Sequence, residues 1–178
     1  MTEKEKTLEL VMKHFMATGE KMSQSKNEME ISHANQWHYA ACEVAGLGAA
    51  VSTIDWAVGE YLKKSQNSIF GSHDFKLALV MVLQGASDEV AEEVVEVAVK
   101  YHSHIWALEK LMEYLRRKPT EEEIFSLVEV ERANTATLSE SHHKKLIEFA
   151  GKHLPVGKVR LIKNILDEKI REFNSHSD

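Results

Sequence analysis

Apolar residues recur along most of the chain at the three- and four-residue spacing of one helix face. No stretch alternates apolar and polar beyond a few residues, so strands are not expected. Leu8, Val11, Met12, Phe15 and Met16 mark the inward stripe of a first helix over residues 2–18. Residues 19–26 are polar, yet the apolar phase matches on both sides, so one helix reaching residue 44 is the alternative to two. Over residues 27–45 a face carries Glu30, His33, Trp37, Ala41 and Val44. Residues 47–64 follow with Val51, Ile54, Val58, Tyr61 and Leu62 inward, and 64–72 reads as a loop. Residues 74–84 are apolar on nearly every side, as in a helix buried at the centre of a bundle.

The second half predicts longer elements. Residues 88–118 carry the stripe Val90, Val94, Val97, Tyr101, Leu108, Met112 and Leu115. Acids crowd the start of this segment (Asp88, Glu89, Glu92, Glu93, Glu96) and Arg116, Arg117 and Lys118 close it, both of which suit the helix dipole. Ser87 or Asp88 is the expected cap. Lys118-Pro119-Thr120 is a boundary, with Thr120 and Glu123 spaced as a capping box. A helix over 121–150 buries Ile124, Leu127, Val128, Leu138, Leu146 and Phe149, and a last helix runs from Val156 or Lys158 to residue 173. Pro119 and Pro155 are the two prolines, which leaves room for long helices. The expected fold is all-α: six or seven mostly antiparallel helices around the buried segment 74–84. One domain covers 1–178, with an N-terminal helix and break at 1–26, a core at 27–150 and a C-terminal loop and helix at 151–178.

Composition narrows the function classes. A length of 178 residues fits one domain. The single cysteine, Cys42, excludes an internal disulfide and a Cys-rich metal cluster, and it reads as a small core residue. A net charge of −6 argues against a globally basic nucleic-acid binder. The strongest apolar run, 77–83, falls far short of the about 20 residues that span a bilayer, and the charged start is unlike a signal peptide. A cytoplasmic protein with no membrane partner is expected. Phosphate-loop, dinucleotide and zinc-protease spacings are absent, so no nucleotide cofactor is indicated.

The chemical hint lies in polar residues on inward faces. Glu-x-x-His, a spacing that places two ligands on one helix face, occurs at Glu30/His33 and at Glu140/His143. In a continuous helix over 121–150, Glu140 sits about 160° from the centre of the apolar stripe and His143 about 100° from it. The second occurrence therefore reads as chance. Glu131, Thr135 and His142 fall within that stripe, His104 falls within the stripe of 88–118, and Glu30 and His33 flank Trp37. Buried carboxylates and imidazoles are costly unless paired or metal-bound. Glu131 and His142, eleven residues apart, stand about 16 Å from each other along one helix and cannot share an ion. Across a hairpin turning at Pro119, His104 comes level with Glu131, and Glu93 with His142.

The expected site is Glu30, His33, His104 and Glu131, with Glu93 and His142 as weaker candidates. Mixed oxygen and nitrogen ligation suits iron, manganese or zinc. The expected function is a metal-binding helical bundle, and an iron- or manganese-dependent oxidoreductase if it is an enzyme. Tyr101 would then be a redox neighbour. The same residues satisfying one another by hydrogen bonds, as a closed polar layer, is the plain alternative. Two further alternatives are non-enzymatic. Small residues at 46–50 suit helix pairing in a homodimer. The 144–163 face, with six basic residues against Glu148, suits phosphate or RNA. His14, His38, His73, His102, His153 and His176 read as exposed or ambiguous, most of them as ordinary surface residues.

Overall fold

A computed structural model describes residues 1–67, 71–102, 105–133 and 140–175, and all regular structure among them is helical. The chain divides into two compact units, Met1–Val94 and Val95–Asp178. Among the described residues no helix is long and apolar enough to cross a membrane.

The first unit contains α1 (Glu3–Ser23), α2 (Glu28–Gly46), α3 (Val51–Asn67) and α4 (Gly71–Val82), and α5 (Asp88–Val97) spans the boundary. The N-terminal region is two helices, because Asn27 leaves the helical conformation (φ −93°, ψ 113°) and caps α2 by accepting from the Met29 amide at 3.0 Å. Thr2 and Glu5 form a capping box at the start of α1. α1 packs along α2, α3 along α4, and α2 also meets α4. As expected, α4 is apolar nearly all round: Phe75, Leu77, Ala78, Leu79, Met81 and Val82 are buried. Ser87 caps α5, its hydroxyl accepting from Val90, while its own amide donates to Asp55 at 2.8 Å.

Of the small residues at 46–50, Gly46 ends α2 and residues 47–50 connect it to α3, with Gly48 at φ +103°. One expectation changes here. In α2 the buried face is Ala34, His38, Ala41, Cys42 and Ala45, one residue round from the Trp37/Val44 face read from the sequence. Small side chains let α1 and α2 approach closely. A methyl group added at Gly19 of α1 would lie 2.7 Å from His38 Nε2 and 3.0 Å from the Ala34 carbonyl.

The second unit takes in the end of α5, a π-helical turn (Ala98–His102), α6 (Ile105–Tyr114), α7 (Glu121–Ala133), α8 (Glu140–His153) and α9 (Val156–Ser175). The segment expected as one α-helix over 88–118 contains this π-helical turn, and the described parts of the segment expected over 121–150 are α7 and α8. A π turn advances the chain by an extra residue and resets the phase of the stripe. The π turn packs on α7, α6 on α8, and α9 on both α7 and α8. The Thr120/Glu123 capping box forms as read, with contacts of 3.2 and 2.6 Å. Glu123 also grips Arg117 through both oxygens at 2.6 and 3.1 Å. Burial opposes the charged Glu123 carboxylate, but the Arg117 and Thr120 contacts outweigh it and lower its pKa. Before that cap, Arg116 takes a left-handed conformation (φ 53°) and the Arg117 amide closes back on Met112 O at 3.1 Å, which terminates α6.

The close α1–α2 approach is testable. Gly19→Ala should lower stability in urea unfolding by about 1–3 kcal/mol, the usual cost of overpacking. Gly59→Ala, a helical position where the added methyl meets nothing within 4 Å, should stabilise by about 0.5–1 kcal/mol.

Candidate functional site

The stripe of α7 places Ile124, Leu127 and Val128 in the interior, and Glu131 follows at helical spacing on the same face. Its side chain is buried, with the residue 2% exposed. On α8 the buried residues are His143, Leu146, Phe149 and Ala150. His142 and His143 are consecutive and so project about 100° apart, one to each side of that stripe. His143 is buried and His142 half-buried.

Both histidines meet the same carboxylate. His143 Nε2 stands 3.1 Å from Glu131 Oε1, and His142 Nε2 stands 3.4 Å from Oε2. The shorter contact falls outside hydrogen-bond geometry. Among the described residues Glu131 Oε1 and both ring nitrogens of His143 have no hydrogen-bond partner. From α9 the buried Lys169 ammonium donates to the Glu131 backbone carbonyl. That carbonyl lies in the last turn of α7, where intrahelical donors run out. A cleft of about 350 Å³, lined by Trp106, His142, Lys145 and Phe149 among others, opens beside the centre. His142 therefore touches both the cleft and the buried carboxylate.

Glu131 is inward as read. His142 meets it at 3.4 Å, against the expectation that 16 Å of helix would separate them; residues 134–139 lie outside the described set. His143, dismissed on the phase of one continuous helix, is the most buried histidine of the described residues. Glu30 and His33 are exposed. Glu30 lies in the first turn of α2, where an acid favours the dipole. His33 lies off the small-residue face, and its Nδ1 is 2.6 Å from the Met29 carbonyl of its own helix. Glu93 is exposed on α5. His104 and Thr135 lie outside the described residues, as do the side chains of Tyr101 and Glu140. Among the described residues no group of three or more His, Cys, Asp or Glu side chains is arranged to hold a metal ion. Within the basic 144–163 face, Lys152 pairs with Glu109 at 3.1 Å and Lys158 with Glu121.

A second buried polar group, unforeseen from the sequence, lies in the first unit. His38 Nδ1 is 3.0 Å from the Tyr61 hydroxyl, and both residues are buried. Burial, reinforced by Lys64 and His73 and opposed by Glu20, pushes the His38 pKa down to about 4. Burial likewise raises the Tyr61 phenol, and the Cys42 thiol is pushed up to about 12. The pair is neutral near pH 7, and the Glu20–Lys64 ion pair carries the charge beside it. The signal that could have found His38 was the i, i+4, i+7 pattern of Ala34, His38, Ala41 and Ala45.

No protein-family model, no curated protein and no solved structure matches this chain.

The His38 shift fixes a pH dependence. The folded state prefers the neutral imidazole, so this stability is fully present above about pH 6.5, the ordinary value, and is lost as pH falls towards 4. Urea unfolding at about pH 7 and pH 4.5 should show a clear drop for the wild type and for Tyr61→Phe, which keeps the imidazole. His38→Gln should flatten it.

Proposed function

We propose that the second unit is a metal-binding module, with Glu131 and His143 as protein ligands and His142 as the neighbouring donor at the cleft. One observation carries the reading: a buried carboxylate oxygen and a buried imidazole nitrogen face each other at 3.1 Å without the geometry of a hydrogen bond. Buried polar atoms in native proteins nearly always have partners, and an exception asks for one. Ligands about 2.1 Å from a common ion stand about 3.0–3.4 Å apart at coordination angles near 90–110°, the separations seen here. Oxygen with imidazole nitrogen suits iron, manganese or zinc. Two protein ligands leave positions for water or for a small molecule entering past His142. Iron or manganese held this way would support redox chemistry on such a molecule, and zinc would act as a Lewis acid. His104, a ligand in the sequence reading, lies outside the described residues.

The competing arrangement is a closed polar layer, favoured by Lys169 beside Glu131 and by the lack of a three-residue cluster among the described residues. Anaerobic calorimetric titration with Fe(II), Mn(II) and Zn(II) separates the two. The metal reading expects one equivalent bound with Kd below about 10 µM, weakened at least tenfold by Glu131→Gln and by His143→Asn. The polar-layer reading expects no saturable uptake. Glu131→Gln binding as tightly as the wild type would also overturn the metal site.

A further inference from the structure

A second cleft of about 530 Å³ lies where α6 and α8 end, beside the turn through Arg116, Arg117, Lys118 and Pro119. That volume is in the range of small-molecule sites. Met112, Pro119 and Phe149 supply an apolar floor. The polar lining is four basic residues, Arg116, Arg117, Lys118 and Lys152, against two acids, Glu109 and Glu113.

The charges are not equally available. Arg117 is held by Glu123, Lys152 by Glu109, and Glu113 by Lys110. Arg116 and Lys118 are exposed, and among the described residues neither side chain has a carboxylate partner. His153 stacks edge-on against Phe149 at 4.9 Å between ring centres, and its Nδ1 is buried without a hydrogen-bond partner. Burial, then the positive charges of Lys118 and Lys152, lower the His153 pKa, and Glu109 opposes them. Basic residues at helix ends offset the dipole. Dipole compensation alone, however, does not require a concave apolar floor beside the two exposed cations.

We propose that this cleft binds an organic phosphate monoester: an apolar, ring-sized body seated on Met112, Pro119 and Phe149, with its dianionic phosphate held by Arg116 and Lys118 and within reach of His153. Arginine and lysine together match a phosphate dianion better than a singly charged carboxylate. The site shares no ligand with the Glu131 centre and does not depend on that reading.

The test is calorimetric titration of the full chain with 1-naphthyl phosphate, 1-naphthol, 1-naphthoate and inorganic phosphate. The expected result is one site per chain for 1-naphthyl phosphate with Kd below about 100 µM, and at least tenfold weaker binding of the other three. The paired change Arg116→Gly with Lys118→Ala should weaken 1-naphthyl phosphate at least tenfold without lowering the unfolding midpoint, because glycine adopts the positive φ at 116 without strain. Binding of 1-naphthol as tight as that of the phosphate would reduce the cleft to an apolar patch. Equal binding of 1-naphthoate would overturn the choice of phosphate. An unaffected double variant, or no saturation by about 1 mM, would overturn the site.

Discussion

A carboxylate sealed inside a helical unit sets terms for everything near it. Glu131 is 2% exposed, and removing such a group from water costs several kcal/mol unless neighbours compensate. Three helices of the second unit converge on it. α7 presents the carboxylate, α8 brings two imidazoles to its two oxygens, and α9 sends the Lys169 ammonium to the carbonyl of the same residue. Packing in this region is therefore specified by polar partners as well as by shape, and the polar partners fix which turn of α8 faces which turn of α7.

The consecutive histidines divide the work. A single α-helical step of about 100° is enough to put one ring in the dry interior and the next at a cleft wall. His142 links solvent to the carboxylate without any opening of the core. The first unit solves a similar problem with neutral groups: His38 and Tyr61 share one hydrogen bond, and ionisation is disfavoured for both. Gly19 makes room for that imidazole, so backbone spacing and side-chain chemistry are tied together at one point of the α1–α2 contact.

Much of this was legible in the residues. Helical periodicity marked an all-α chain, the Thr120/Glu123 box marked the start of α7, and the stripe of Ile124, Leu127 and Val128 pointed to a buried Glu131. Errors arose where local continuity was assumed. Phase angles carried from residue 124 to residue 143 treat the segment as one straight rod, and any interruption of it invalidates them. His143 was lost and His142 separated from Glu131 for that reason. At α2 the expected face held Trp37 and Val44, yet Ala34, His38, Ala41, Cys42 and Ala45 form the buried face, since helices approach most closely over small side chains. Exposure of Glu30 follows from its place in a first turn, which hydrophobic patterning does not encode.

Cys42 has a practical consequence. It is the chain's single thiol, it is 1% exposed, and burial pushes its pKa up to about 12. Alkylating reagents attack the thiolate, so modification must await an excursion that wets α2. The chain thus carries its own clock: the rate at which iodoacetamide consumes the thiol times the breathing of the first unit, with no second cysteine to blur the reading.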